Sequence, residues 1–129
     1  MSGSGLAEPQ VKLPARPQPG EVLCRVDELD PDLGVKRFVW HDHEGPQRIF
    51  LLRQGERVQA YFNLCPHAFV NLDSRPGDLL SADRRHLQCS FHGALFRFQD
   101  GLCVAGPPKD RRLMRFPVCI EAEAVKVAE

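Results

Sequence analysis

Apolar and polar positions alternate along this chain in short runs, and turn-forming residues separate the runs. Glu21–Val26 and Val35–His41 read as the first two strands. Asp42-His43-Glu44-Gly45-Pro46 has the composition of a turn. Arg48–Arg53 contains Ile49-Phe50-Leu51-Leu52, a run short enough for a buried strand, and Gln54-Gly55-Glu56 turns the chain again. Arg57–Asn63 alternates, with Val58, Ala60 and Phe62 on one face and Gln59, Tyr61 and Asn63 on the other. Leu87–Cys89 and Ala94–Phe98 read as shorter strands, the second with Phe96 and Phe98 on one side. Asp100-Gly101 is a hairpin turn. Arg115–Ile120 and Ala124–Val127 form a closing pair, although Glu121–Ala124 consists of helix-forming residues. No helical period of convincing length and no internal repeat is present. The pattern predicts an all-β protein, an antiparallel β-sandwich or small barrel.

Residues 1–20 stand apart. They hold Pro9, Pro14, Pro17 and Pro19 with three glycines, a composition that predicts a flexible arm. Residues 21–129 remain as one domain, the size that 129 residues allow. Basic and acidic side chains balance at 17 each, so no excess charge points to nucleic acid or to an anionic membrane. Two local runs break the balance: Asp27, Glu28, Asp30 and Asp32, and Lys109, Arg111, Arg112 and Arg115. Both read as solvated faces. No stretch reaches the ~18 apolar residues of a membrane helix. The first ten residues lack a basic region followed by an apolar one. Five cysteines, an odd number, argue against a disulfide framework, and a reducing, cytoplasmic location is expected.

The candidate chemistry lies in two mixed pairs. Cys65-Pro66-His67 and Cys89-Ser90-Phe91-His92 are separated by a spacer of 21 residues, and each follows a predicted strand. A loop leaving a sheet at each place can aim its side chains outward, and two such loops side by side can hold a metal centre. Thiolate suits iron–sulfur clusters or zinc, and imidazole suits iron, zinc or copper. A structural Cys2His2 zinc site is one reading, though zinc sites usually group their cysteines and their histidines in separate close pairs. A [2Fe–2S] cluster with two cysteines on one iron and two histidines on the other is the other reading, and it explains why each pair is mixed. Outside these pairs, His41 and His43 fit a solvated turn, and His86 fits the surface. Cys24, Cys103 and Cys119 fit small buried apolar positions.

Taken together these motifs resemble the Rieske family. The resemblance runs over about residues 21–128. It includes Cys65-Pro66-His67, Asn71-Leu72-Asp73, Cys89-Ser90-Phe91-His92-Gly93-Ala94-Leu95-Phe96, Asp100-Gly101-Leu102-Cys103-Val104 and Gly106-Pro107-Pro108. It implies a β-sandwich with two cluster-binding loops and a proline-rich covering loop, the last at Gly106-Pro107-Pro108. It also implies one [2Fe–2S] cluster per chain, held by Cys65, His67, Cys89 and His92. High-potential members bridge their two ligand loops by a disulfide, but Val70 and Phe91 stand at those positions here. Those members place serine and tyrosine near the cluster sulfurs, where this chain has Ala94 and Phe96. In both respects the chain is similar to the soluble ferredoxins of aromatic-ring hydroxylating systems. Its spacer is longer than theirs, with the extra residues in Leu80–His86.

The implied function is one-electron transfer from a reductase to a terminal oxygenase or other acceptor, by transient docking near His67 and His92. Catalysis by the chain alone is not expected. An oxygenase needs a separate iron held by two histidines and a carboxylate, and only His41, His43 and His86 remain. A small accessory subunit of a larger reductase, or a redox-sensing regulator, are the alternative roles.

Overall fold

The computed structural model describes residues 10–66, 70–73, 79–90 and 93–129. Among these residues ten strands follow in chain order: β1 (Val11–Lys12), β2 (Val22–Arg25), β3 (Gly34–Asp42), β4 (Gly45–Gln54), β5 (Arg57–Phe62), β6 (Leu87–Gln88), β7 (Leu95–Phe96), β8 (Cys103–Ala105), β9 (Val118–Glu121) and β10 (Ala124–Val127). One short 3-10 turn at Val26–Glu28 interrupts them, and the described residues contain no α-helix. None is therefore long and apolar enough to cross a membrane. The chain forms two compact units, one of Gln10–Phe62 with Met114–Glu129 and one holding Asn63–Leu113.

In the first unit the strand orders are β1-β3-β4-β5 and β2-β10-β9. The β3–β4 ladder runs unbroken from Gly34 opposite Arg53 to Asp42 opposite Gly45. Alternate residues of these strands face one core: Phe38 and Trp40 from β3, Ile49 and Leu51 from β4, and Ala60 from β5. Cys24 from β2 and Val125 and Val127 from β10 close it from the second sheet. Removing each large apolar side chain from water contributes roughly 1.5–3 kcal/mol. Phe62 meets both Trp40 and Phe116 edge-to-face, the latter with centroids 5.5 Å apart, while Trp40 and Phe116 are tilted against each other. The run Ile49–Leu52 is buried on both faces, as its unbroken apolar character predicts.

The closing pair forms as expected, Val118–Glu121 with Ala124–Val127, through a hairpin turn with Ala122 and Glu123 both at positive φ (52° and 62°). That turn's twist matches the flanking strands, and the pairing prevails over local helix preference. Two features depart from the sequence pattern. The face of β5 expected to be polar is covered, with Tyr61 buried and its ring 5.9 Å from Phe50. The second departure concerns the arm. Residues 1–9 of the expected arm lie outside the described residues. Beyond them, Val11–Lys12 pairs in parallel with Phe38 and Val39 of β3. Pro17 is buried, and the Arg16 guanidinium lies 5.8–5.9 Å from the ring centres of Trp40, Phe62 and Phe116. The acidic run does meet solvent: Asp27, Glu28, Asp30 and Asp32 are exposed, and Glu28 reaches Lys36 at 3.4 Å.

Candidate metal centre

The unit Asn63–Leu113 is built on the three short strands β6-β7-β8. Leu87 pairs with Phe96, and Phe96 pairs with Cys103, with an irregularity in the β7–β8 ladder between Leu95 and Phe96. Leu72, Leu79, Leu87, Phe96 and Leu113 are buried and fill this unit. The Cys65 segment follows β5 in the chain, and the Cys89 segment follows β6.

The two loops are closed in the same way. Cys65 N–H donates to the Val70 carbonyl at 2.7 Å, and Cys89 N–H donates to the Ala94 carbonyl at 2.9 Å. Each cysteine thus opens a loop that returns five residues later. Gly93 N–H also donates to the Cys89 carbonyl at 2.8 Å, tightening the second loop. The loops are tied to each other where Ser90 N–H donates to the Leu72 carbonyl at 2.6 Å. Asn63 anchors the base of the first. Its side chain is buried, its Oδ1 accepts from Leu72 N–H at 2.7 Å, and its Nδ2 donates to Asp73 Oδ1 at 2.9 Å. A buried amide left unpaired would cost about 1–3 kcal/mol, so these bonds hold Leu72 and Asp73 against Asn63.

A third loop follows β8. Its base is closed by Cys103 N–H to the Arg111 carbonyl (2.8 Å) and Asp110 N–H to the Cys103 carbonyl (3.1 Å). Gly106 at its tip approaches the second ligand loop. A Cβ there would lie 2.9 Å from Ala94 Cα, closer than real side chains come. Arg111 reaches the first loop, with Nη1 3.4 Å from the Pro66 carbonyl oxygen. The loop after β8 therefore touches both cysteine-bearing segments, through Arg111 at Pro66 and Gly106 at Ala94.

Cys65 and Cys89 are each 2% exposed and unbridged. Two buried thiols on loops tied together, with a histidine in each loop's sequence, match the donor set of a mixed cysteine–histidine centre. His67 and His92 lie outside the described residues, so the structure places two of the four expected ligands. Among the described residues no group of three or more His, Cys, Asp or Glu assembles into a metal site. Cys103, the first residue of β8, is buried. Burial pushes its thiol up, with Cys65 and Asp110 adding to the effect, and its Sγ donates to the Ala105 carbonyl at 3.1 Å. A neutral thiol occupied in this way is a packing group, as expected.

The remaining candidates fall elsewhere. His41 and His43 are exposed on the β3–β4 hairpin, with His43 3.9 Å from Glu44. His86, expected at the surface, is half-buried beside the Ser81–His86 turn. Cys24 is buried as expected, but Cys119 is exposed, because β9 is the outer strand of its sheet. Sequence reasoning missed Asn63, Ser90 and Arg111. Only Asn63 carried a signal, a polar residue two positions before Cys65.

The family of Rieske [2Fe-2S] domains matches residues 21–122. No curated protein sequence matches the chain. Among solved structures, the chain is similar to one in a complex of reduced oxygenase and oxidised ferredoxin in carbazole 1,9a-dioxygenase. There the TM-score is 0.62 and the identity 22%, over 84% of this chain and 100% of that one. The ferredoxin of carbazole 1,9a-dioxygenase from Nocardioides aromaticivorans IC177 gives a TM-score of 0.60 at 23% identity, over 86% and 98%. The Sphingomonas yanoikuyae B1 ferredoxin gives 0.58 at 22%, over 85% and 98%. At such identities the likeness to these structures is one of fold. The family match spans most of the chain and carries the [2Fe–2S] cluster with it: this chain belongs to the Rieske [2Fe–2S] domain family.

Proposed function

We propose that the protein is a soluble, cytoplasmic Rieske-type ferredoxin that carries one electron at a time and catalyses no reaction alone. Residues 21–129 make up its cluster domain. One [2Fe–2S] cluster per chain is held by Cys65 and Cys89 on one iron and by His67 and His92 on the other. The observation that carries this reading is the pair of buried, unbridged cysteines on two similarly closed, mutually bonded loops, in a chain of the Rieske family. The cluster supplies reversible one-electron chemistry when bound. The chain supplies thiolates and imidazoles of fixed spacing, loops held by Asn63 and Ser90, and a covering loop that limits solvent. Similar ferredoxins occur with carbazole 1,9a-dioxygenase. By that analogy the electron comes from a reductase and goes to a terminal oxygenase or comparable acceptor. Docking near His67 and His92 is transient, with an interface below about 1,200 Å².

Metal and sulfide analysis with electron paramagnetic resonance tests the reading. The purified protein holds two irons and two acid-labile sulfides per chain, in the stoichiometry of a [2Fe–2S] cluster. When reduced it has the low average g of a histidine-ligated cluster. Cys65→Ser, Cys89→Ser, His67→Ala and His92→Ala each abolish that signal. One zinc and no sulfide would reject the proposal.

A further inference from the structure

The formal charge of zero conceals an uneven distribution. Residues 63–113 carry seven basic and five acidic side chains, and the rest of the chain carries ten and twelve. Within this positive unit, Asp100 accounts for much of two cations, pairing with Arg97 and lying 3.4 Å from Arg112. Lys109 and Arg111 differ. Both are exposed, and neither has a carboxylate at ion-pair distance among the described residues. Asp110 between them offsets one of the two charges.

These two cations stand on the covering loop, and the structure joins that loop to both ligand loops. Arg111 Nη1 lies 3.4 Å from the Pro66 carbonyl, and Gly106 abuts Ala94. Exposed apolar surface is close in the chain: Leu64, 41% exposed, precedes Cys65, and Gly106 and Pro107 are exposed. An apolar centre beside a charged rim is the composition of a docking patch, and the sign of the rim selects the partner and speeds encounter. We infer that the Lys109–Arg111 rim is the docking face for a redox partner protein whose contacting surface is acidic. The inference rests on the electron-carrier reading and names the partner's chemistry.

The test uses the reduced holo-protein, oxidised in stopped-flow mixing by anionic ferricyanide or by cationic hexaammineruthenium(III). The ferricyanide rate falls as salt rises, and the ruthenium rate rises. Replacing Lys109→Gln together with Arg111→Gln slows ferricyanide by about threefold or more at low salt and speeds the ruthenium complex. Arg84→Gln with Arg85→Gln makes the same charge change at two exposed residues of the Ser81–His86 turn and alters both rates much less. Poly-L-glutamate, as an acidic polypeptide, inhibits oxidation of the native protein and not of the Lys109/Arg111 variant, and poly-L-lysine inhibits neither. Equal effects from the two double variants, or inhibition by poly-L-lysine instead, would overturn the inference while the cluster signal stands. Absence of the cluster signal would overturn the carrier reading and this inference with it.

Discussion

At the scale of single residues, burial and close approach decide what each side chain can do. Cys24 sits in the core at 5% exposure, where burial, with Glu28 adding to it, pushes its thiol up to about 11. Cys103 is likewise buried and raised. Cys119 is exposed on β9. Alkylation needs an accessible thiolate. Brief treatment of the holo-protein with iodoacetamide near pH 8 should therefore label Cys119 alone, as read by peptide mass spectrometry. Labelling of Cys24 at a comparable rate would contradict the described core. Gly106 offers a second test. It has φ +99° and no room for a Cβ against Ala94, whereas Gly45 has φ +102° and open space around it. Gly106→Ala and Gly45→Ala share the conformational cost of about 1–2 kcal/mol. Gly106→Ala adds overpacking of about 1–3 kcal/mol. Its midpoint of chemical denaturation should fall clearly further than that of Gly45→Ala, and equal shifts would show that the covering loop does not press on Ala94.

At the scale of elements, hydrogen bonds set the hairpins that carry the loops. The Asp100-Gly101 turn was legible from two residues. Its stabilising network was not, because Arg97 and Arg112 converge on Asp100 only when β7 and the covering loop fold back together. Arg97 N–H donates to the Leu102 carbonyl at 2.9 Å, and Asp100 Oδ1 accepts from Leu102 N–H at 3.0 Å. The Arg97 guanidinium first, and that Leu102 N–H second, hold the Asp100 carboxyl well below the usual carboxylate range. A carboxyl depressed in this way stabilises the fold above its unfolded value, about 3.9. That contribution is lost as pH falls through the lower folded value. The melting temperature of Asp100→Asn should lie below that of the native protein by a constant margin from about pH 7 to 5. The margin should shrink below about pH 4. The margin is modest, since exposed pairs contribute little. A margin that widens in acid would refute the assignment.

For the whole molecule, the reduction potential integrates what surrounds the cluster. Hydrogen bonds to cluster sulfur stabilise the more negative, reduced form and raise the potential. Ala94 and Phe96, 1% and 0% exposed, bring apolar side chains to positions where high-potential relatives have hydroxyl donors. Val70 at the close of the first loop allows no disulfide there. The potential should fall in the lower part of the Rieske range of roughly −150 to +300 mV, below about 0 mV. Voltammetry of the immobilised protein at fixed pH measures it. Ala94→Ser should raise it by tens of millivolts if the hydroxyl reaches a sulfur; for one electron 59 mV is about 1.4 kcal/mol, the scale of one hydrogen bond. A native value near the top of the range would refute placement among the ferredoxins.

The amino-acid sequence by itself determined the all-β class, most strand positions and the two cysteine pairs, and the covering role of the proline segment came only from resemblance to the Rieske family. Those features depend on local alternation, turn chemistry and motif spacing, which the chain carries within a few residues. Tertiary structure alone decided how the pieces meet. Asn63 looked like one member of a polar strand face, yet its side chain is buried and pins Leu72 and Asp73, nine and ten positions on. Val11–Lys12 lies in a stretch whose composition suggests an arm, yet an open edge of β3 pairs with it. Cys119 reads as a small buried residue, yet lies exposed on β9, the outer strand of its sheet among the described residues. Lys109 and Arg111 read as a solvated run, yet the loop closed at Cys103 carries Arg111 to the Pro66 carbonyl, with Lys109 on the same loop. In each case the deciding partner is distant in sequence, and only folding brings it within bonding distance.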